Sequence, residues 1–252
     1  MRSNVAISLA GGGALGGVLA LPAGSCDPPV PGVIVLHEVF GPAPDILDAA
    51  DRFAEHGYAA LTPDLFSAGT RLGCLARAMI ESSRGRPGKI TAAVEASRAW
   101  LAARSEIDAE RLAIIGFCMG GGFALTYAAG SPPGLRAAAV NYGQVPADAE
   151  RLRGVCPVVG SYGGRDRAMG AQGERLREHL VRLGVEHDIK TYPQAGHSFM
   201  TAGHHPIGRL VYLPLHLGYE PRAAEDAWAR VFDFFGRHVA PAAAARTADG
   251  PG

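Results

Sequence analysis

Several features that would assign this chain to a simple functional class are missing from its sequence. Its 24 basic and 24 acidic side chains cancel to a formal net charge of +0, and no basic stripe indicates a nucleic-acid surface. No uninterrupted apolar run approaches the roughly 18 residues that a membrane-spanning helix needs. We therefore expect neither nucleic acid nor a membrane as a partner.

Cysteine is scarce, and its spacing excludes the usual cysteine-rich sites. The four cysteines are Cys26, Cys74, Cys118 and Cys156, and no C-x-x-C pair occurs among them. This wide spacing fits neither a zinc site nor a small disulfide scaffold. We therefore expect reduced thiols in a cytoplasmic compartment.

Motifs for cofactors are also missing. The glycine-rich segments do not form G-x-G-x-x-G with an acidic residue downstream, and no phosphate-loop lysine is present. His204 and His205 are neighbours in the chain, and adjacent histidines do not usually face one ion together. The sequence therefore predicts no cofactor and no metal.

The apolar stretch from Val5 to Ala23 has some properties of an export signal. Glycines interrupt it at two places, and a single arginine precedes it. We interpret this stretch instead as a β-hairpin with strands near 4–9 and 15–21, and we expect the protein to stay in the cytoplasm.

The rest of the chain alternates short apolar runs with segments of helical periodicity. This alternation predicts an α/β fold with a mostly parallel central sheet and helices on both faces. We expect one domain over 1–239, a loose tail over 240–252 rich in alanine, proline and glycine, and no clear element over 67–89. The predicted strands are 33–37, 58–62, 112–115, 137–141, 155–162 and 188–192, and the predicted helices are 45–56, 90–104, 173–183 and 223–238.

One pentapeptide carries most of the functional information. Gly116-Phe117-Cys118-Met119-Gly120 lies between the apolar strand 112–115 and a segment, 121–128, that begins a helix. A strand, a sharp turn with a nucleophile and a helix together form a nucleophile elbow, and the helix dipole there favours a thiolate. The alternative is a small buried cysteine in an ordinary glycine-rich turn.

Two further residues follow strands downstream of Cys118. Asp166 follows the predicted strand 155–162, and His197 follows the predicted strand 188–192. Parallel sheets place active sites at the carboxyl ends of their strands, and the order nucleophile, acid, histidine is that of a hydrolase elbow. We therefore predict a catalytic set of these three residues. The rival histidines are His187, His204, His205 and His216.

Glu38 directly follows the strand 33–37 and has apolar neighbours in sequence. A carboxylate in such a place is costly unless it is paired. It is either a solvated loop residue or a fourth functional group that faces Cys118. The same turn supplies the backbone N–H of Val39, which with the N–H of Met119 would form an oxyanion hole.

Five segments together resemble the dienelactone hydrolase family of α/β-hydrolases, and the resemblance covers roughly residues 5–238. The segments are His37-Glu38-Val39-Phe40-Gly41, Gly57-Tyr58-Ala59-Ala60 with Pro63-Asp64-Leu65-Phe66, Gly116-Phe117-Cys118-Met119-Gly120-Gly121, Gly163-Gly164-Arg165-Asp166 and Gly196-His197-Ser198-Phe199.

This resemblance implies an α/β-hydrolase fold and a triad of Cys118, His197 and Asp166. It also implies that Glu38 takes the proton of the resting thiol when a substrate displaces it, and that an acyl-enzyme forms on Cys118. The implied activity is hydrolysis of a small carboxylic ester or lactone by a monomer or a small homo-oligomer.

Substrate contacts are harder to predict. The family resemblance implies an arginine for the substrate carboxylate two positions after the Ser-Phe pair, and Thr201 stands there instead. A cation from the segment 67–89 would have to replace it, from Arg71, Arg77, Arg84 or Arg86. The candidate substrate-binding residues are Phe40, Tyr142 and Arg71.

Three functions remain open from the sequence. The first is a cysteine hydrolase of esters or lactones, with a thioesterase role included. The second is a non-catalytic α/β-hydrolase scaffold that binds a small molecule or a protein partner. The third is a thiol-redox protein, which would need Cys156 to lie close to Cys118.

Overall fold

The computed structural model describes residues 1–84, 87–167, 169–201 and 218–239, and within them the chain forms a single eight-stranded sheet flanked by helices. The strands are β1 (Arg2–Ser8), β2 (Ala14–Ala20), β3 (Val30–Leu36), β4 (Ala59–Pro63), β5 (Ile107–Phe117), β6 (Leu135–Asn141), β7 (Val158–Gly163) and β8 (His187–Tyr192). The helices are α1 (Pro44–Glu55), α2 (Arg71–Arg84), α3 (Lys89–Ala102), α4 (Met119–Ala128), α5 (Gln172–Leu183) and α6 (Pro221–His238), with a 3₁₀ turn at Ala149–Leu152.

The strand order is β1-β2-β4-β3-β5-β6-β7-β8. Strands β3 to β8 pair in parallel, and β1 and β2 form an antiparallel hairpin at one edge. The predicted mostly parallel α/β sheet and the predicted N-terminal hairpin are therefore confirmed. Within the described ranges, no helix combines the length and the apolar character that crossing a bilayer requires.

Two apolar layers cover the two faces of the sheet. In β5, Leu112 and Ile114 point into the layer under α3, α4 and α5, while Ala113 and Ile115 point into the layer under α1 and α6. Successive strand side chains point to opposite faces, so a strand covered on both sides is apolar throughout. This explains the continuous apolar runs of the sequence.

Helix α2 corrects the expectation that 67–89 holds no clear element. Its buried face is formed by Cys74, Ala78 and Glu81, which are spaced as on a helix but include no large apolar side chain. The carboxylate of Glu81 accepts hydrogen bonds from the N–H groups of Ile90 and Thr91, both at 2.9 Å. It thus caps the N-terminus of α3 from a neighbouring helix, a stabilising contact that has no local sequence pattern.

The predicted strand 155–162 is also corrected, because β7 begins only at Val158. Pro157 has no N–H to donate, and the N–H of Val155 bonds to the carbonyl of Leu152 instead. Strand β5 is longer than predicted and runs to Phe117. The predicted tail over 240–252 lies outside the described residues, and a single domain over 1–239 stays a prediction.

Glycines allow β5 and α4 to cross the end of β3. A Cβ atom on Gly116 would lie 2.0 Å from the carbonyl oxygen of Gly120, and one on Gly120 would lie 2.5 Å from the carbonyl oxygen of Leu36. Neither contact is possible without moving the backbone. The crossing brings the start of α4 against the loop that follows β3.

We expect Gly120→Ala to lower the free energy of unfolding by about 3 kcal/mol or more, because the new methyl group collides with backbone atoms. Gly122→Ala on the same helix is the matched control. Its Cβ atom would meet the Gln144 carbonyl oxygen at 3.4 Å, an ordinary contact, and alanine favours a helix by about 1 kcal/mol over glycine. Urea unfolding of both variants tests this, and equal effects would contradict it.

Candidate active site

Cys118 occupies the turn between β5 and α4. Its backbone adopts φ 53° and ψ −116°, and φ in this region is rare for a residue with a side chain. Its N–H donates to the carbonyl of Asn141 at 3.0 Å, and its own carbonyl accepts from the N–H of Gly121 at 3.0 Å. The turn is fixed on both sides, and the half-buried thiol is presented at the carboxyl edge of the sheet.

His197 links Cys118 to Asp166. Its Nε2 lies 3.0 Å from the sulfur of Cys118, and its Nδ1 lies 2.7 Å from Oδ2 of Asp166. The other carboxylate oxygen of Asp166 accepts the N–H of Met169 at 3.0 Å. The structure therefore brings the three residues together, each from the loop after a different strand: β5, β7 and β8.

The loops after β7 and β8 approach each other closely. A Cβ atom on Gly163 would lie 2.4 Å from the carbonyl oxygen of Gly196, so glycine is required at the end of β7. This approach brings the loop of Asp166 against the loop of His197, and it explains why a glycine ends the strand that precedes Asp166.

The charge state of His197 is set by its two partners. Burial lowers its pKa, but the hydrogen bonds and charges of Asp166 and Cys118 outweigh that effect and raise it to about 10. The imidazolium form is therefore favoured at neutral pH. An imidazolium beside a sulfur stabilises a thiolate and holds a proton ready for a leaving group.

Glu38 lies in the same site, where hydroxyl groups hold its carboxylate. It is only 8% exposed, and its Oε1 accepts the hydroxyl of Ser198 at 2.9 Å, with the Thr201 hydroxyl at 3.5 Å. Burial raises the pKa of Glu38, although the bond from Ser198 and the charge of His197 partly oppose this. The thiol of Cys118 faces His197 in this arrangement, while Glu38 is held by Ser198.

The candidate substrate-binding residues fall in three different environments. Tyr142 is fully buried with φ 39°, and its ring meets His197 edge-on at 5.1 Å between centroids. Its hydroxyl faces the side chains of Glu38 and Thr201, and burial, together with the charge of Glu38, holds its pKa well above the ordinary value. Phe40 is 39% exposed, and the guanidinium of Arg71 contacts the carbonyl oxygen of Phe40.

The remaining candidates are the other cations of the segment 67–89 and Thr201, which stands at the position predicted for an arginine. Thr201 is buried and donates its hydroxyl to the carbonyl of Ser198 at 3.1 Å. Arg77 lies exposed on α2, and the side chains of Arg84 and Arg86 lie outside the described residues.

Val39 and Met119, the predicted oxyanion donors, follow β3 and begin α4. These two segments touch, because Gly120 packs against the carbonyl oxygens of Leu36 and His37. Met119 is the first residue of its helix, and an N–H at that position has no partner within the helix. Both N–H groups thus belong to the edge of the sheet at which the thiol lies.

The rival residues that the structure describes lie at the other edge of the sheet. His187 begins β8 and Cys156 precedes β7, so both lie at the amino edge of the parallel strands, opposite Cys118. Burial raises the pKa of Cys156 to about 12, which makes it a poor redox partner. His204, His205 and His216 lie outside the described residues. Within the residues that are described, no three metal-binding side chains form a cluster.

The sequence patterns did not indicate three residues that support the site. His37 is fully buried and contacts the carbonyl of Glu38, Ser198 holds the carboxylate of Glu38, and Asn141 anchors the backbone of Cys118. Each lies beside a predicted functional residue in the sequence or on a neighbouring strand. For His37 and Asn141, the local signal is a polar side chain at the end of an apolar strand.

Comparison with known proteins points to one family. The profile of the dienelactone hydrolase family matches residues 15–239. A Yersinia pestis protein assigned as a carboxymethylenebutenolidase is 32% identical over 228 residues, which cover 83% of this chain and 79% of that protein. An Escherichia coli (strain K12) protein with the same assignment is 31% identical over 232 residues, covering 83% and 78% of the two chains.

The fold agrees with the sequence comparison. A solved Klebsiella pneumoniae structure, assigned as a dienelactone hydrolase, aligns with a TM-score of 0.75 and 28% identity over 94% of this chain and 98% of its own. The matching profile begins within β2 and runs through the final helix of the described fold. The chain therefore belongs to the dienelactone hydrolase family and is a hydrolase with the α/β-hydrolase fold.

Proposed function

We propose that the protein hydrolyses small carboxylic esters or lactones through an acyl-thioester intermediate on Cys118. The observation that carries this proposal is the continuous contact from Asp166 through His197 to the sulfur of Cys118. The relatives assigned as carboxymethylenebutenolidases support a lactone among the substrates. A cytoplasmic location belongs to the proposal, and the four unpaired cysteines support it.

In the first half of the reaction, the thiolate of Cys118 attacks the carbonyl carbon of the ester. The carbonyl oxygen becomes an oxyanion, which the N–H groups of Val39 and Met119 hold. His197, protonated beside Asp166, donates its proton to the leaving alkoxide as the carbon–oxygen bond breaks. With an ester, an alcohol leaves. With a lactone, the ring opens and the new hydroxyl stays on the acyl group, which in both cases remains bonded to the sulfur.

In the second half, water attacks the thioester carbonyl. His197 is neutral after acylation, so it accepts the proton of this water. The oxyanion forms again at the same two N–H groups, the carbon–sulfur bond breaks, and the carboxylic acid leaves. The thiolate of Cys118 and the imidazolium of His197 are restored.

Glu38 is assigned a role in the resting enzyme. When a substrate displaces the resting thiol, Glu38 takes the thiol proton, because burial raises the pKa of this carboxylate and makes it a stronger base. Phe40, Tyr142 and Arg71 are the proposed substrate contacts. The hydroxyl of Tyr142, which faces Glu38 and Thr201, is suited to hydrogen bonding with a polar group of the substrate.

We expect Cys118→Ala to lower kcat on short activated esters by about 10³-fold or more, because the covalent route is lost. We expect the kcat of Cys118→Ser to lie between those of Cys118→Ala and the wild type. Cys26→Ala removes a partly exposed cysteine from another region and is the matched control, with unchanged kcat. The measurement is initial rates on a panel of esters and lactones, with melting temperatures to confirm folding.

Two outcomes would contradict the hydrolase proposal. One is full activity in Cys118→Ala. The other is a wild-type protein that hydrolyses no ester or lactone of the panel, yet gains melting temperature from one of them, which is the behaviour of a binding scaffold.

We expect Asp166→Asn to lower kcat by about 10²- to 10⁴-fold while KM changes little, because the amide no longer stabilises the imidazolium of His197. Asp188→Asn is the matched control. Asp188 lies on β8, away from the thiol, and its carboxylate pairs with Arg230 of α6. Steady-state kinetics on one ester give kcat and KM for both variants and for the wild type. Equal losses in both variants would indicate general damage to the fold.

The charge state of His197 predicts a pH-dependent stability. Its pKa of about 10 in the folded protein exceeds the value of about 6.5 in an unfolded chain. The stabilisation is therefore complete below about pH 6.5 and is lost as the pH rises to about 10. We expect the free energy of unfolding to fall across this range.

Urea unfolding between pH 6 and pH 10 measures this slope. In His197→Gln the slope should become shallower, because the group that releases the proton is absent. His179→Gln, which changes a partly buried histidine on the Pro146 carbonyl, should keep the wild-type slope. Identical slopes in all three proteins would refute the assigned charge state.

A further inference from the structure

The turn that follows β3 carries two groups of the proposed site, the carboxylate of Glu38 and the N–H of Val39. Its conformation depends on the carbonyl oxygen of Glu38, which accepts two hydrogen bonds. One comes from Nδ1 of His37 at 2.6 Å, and the other comes from the N–H of Gly41 at 3.2 Å. This oxygen is therefore held from two directions.

Holding this oxygen also orients the proposed oxyanion donor. The C=O of Glu38 and the N–H of Val39 belong to the same peptide unit. In a planar trans peptide these two bonds point in opposite directions. When the carbonyl of Glu38 is fixed toward His37, the N–H of Val39 must point to the other side of the turn.

His37 is itself held in one orientation and one tautomer. Its Nε2 accepts the N–H of Leu65 at 3.1 Å, so the proton of the neutral ring is on Nδ1, which faces the carbonyl of Glu38. The ring of Phe66 meets it edge-on at 4.8 Å. The side chain is 0% exposed, and it joins the turn after β3 to the loop after β4.

Burial also keeps His37 neutral. It lowers the pKa of His37, and the nearby charge of Arg71 acts in the same direction. The hydrogen bond to the carbonyl of Glu38 and the charge of Asp64, with Oδ1 at 3.9 Å, oppose this only in part. A neutral ring is what the contacts require, because Nε2 can accept the Leu65 N–H only when it carries no proton.

We propose that His37 is a positioning residue for hydrolysis, which aims the N–H of Val39 at the oxyanion by holding the carbonyl of Glu38. This inference rests on the proposed function, since it assigns a support to the oxyanion hole of that reaction. His37 is fully buried, so a substrate bound at the thiol does not reach it. It acts through one hydrogen bond to the backbone.

A second contact in the turn supports this reading. The guanidinium of Arg71 contacts the carbonyl oxygen of Phe40, which belongs to the same peptide unit as the N–H of Gly41. That N–H is the second donor to the carbonyl of Glu38. Gly41 has φ +84°, and a Cβ atom there would lie 2.8 Å from Arg71, so the turn and its supports fit closely.

The test compares two reactions of the same thiol. Acylation by an activated ester needs the oxyanion hole, whereas alkylation by iodoacetamide displaces iodide from a saturated carbon and forms no oxyanion. In His37→Leu, we expect kcat for the ester to fall about 10- to 100-fold with KM within about threefold, since loss of an oxyanion donor costs about 10²- to 10³-fold. The alkylation rate of Cys118, followed by peptide mass, should stay within about threefold of the wild type.

Two further variants complete the design. His37→Gln should recover most of the lost kcat, because an amide is able both to donate to the carbonyl of Glu38 and to accept from Leu65. Ser97→Ala removes another buried hydrogen bond, from Ser97 to the carbonyl of Ala93 at 2.8 Å, and should leave both rates unchanged. If His37→Leu does not fold, His37→Met replaces it, because the flexible thioether adapts to irregular packing.

The outcomes separate this inference from the proposed function. Ester turnover that is unchanged in His37→Leu, or that falls in parallel with alkylation, would overturn the positioning role while leaving the hydrolase assignment intact. A wild-type protein that turns over no ester would overturn both. Selective loss of acylation, with recovery in His37→Gln, is the result we expect.

Discussion

The constraint on which the site depends is the crossing of the β5–α4 turn over the end of β3. At Gly116 and Gly120 the backbones approach so closely that a Cβ atom would lie 2.0 Å and 2.5 Å from carbonyl oxygens. The crossing holds Cys118 in its left-handed conformation and brings the N-terminus of α4 beside the turn after β3. The thiol, the helix terminus and Glu38 meet at one edge of the sheet because this crossing is tight.

The site also shows how burial is made tolerable for ionisable groups. Asp166 and Glu38 are both nearly inaccessible to water, and an unpaired buried charge would cost several kcal/mol. Asp166 has the imidazole of His197 and the N–H of Met169 as partners, and Glu38 has the hydroxyl of Ser198. These partners are as much a part of the site as the groups that the reaction would use.

Two histidines in the same site have opposite pKa shifts. His197 faces a carboxylate and a sulfur, and its pKa is raised to about 10. His37 faces a backbone carbonyl and a backbone N–H, and burial lowers its pKa. One ring therefore carries a charge that suits proton transfer, while the other stays neutral and suits a fixed hydrogen bond. The two rings differ in pKa because their hydrogen-bond partners and neighbouring charges differ.

The sequence by itself determined the order of strands and helices, the mostly parallel sheet, the elbow at Cys118, and the positions of Asp166, His197 and Glu38 after strands. These features follow from local periodicity and from glycine at tight turns, so the local sequence predicts them. The tertiary structure alone decided that α2 forms, that Ser198 holds Glu38, that Arg71 contacts Phe40, and that His37 joins two loops. These contacts join residues that are neither periodic nor, for the most part, close in sequence, and only the folded chain sets their distances.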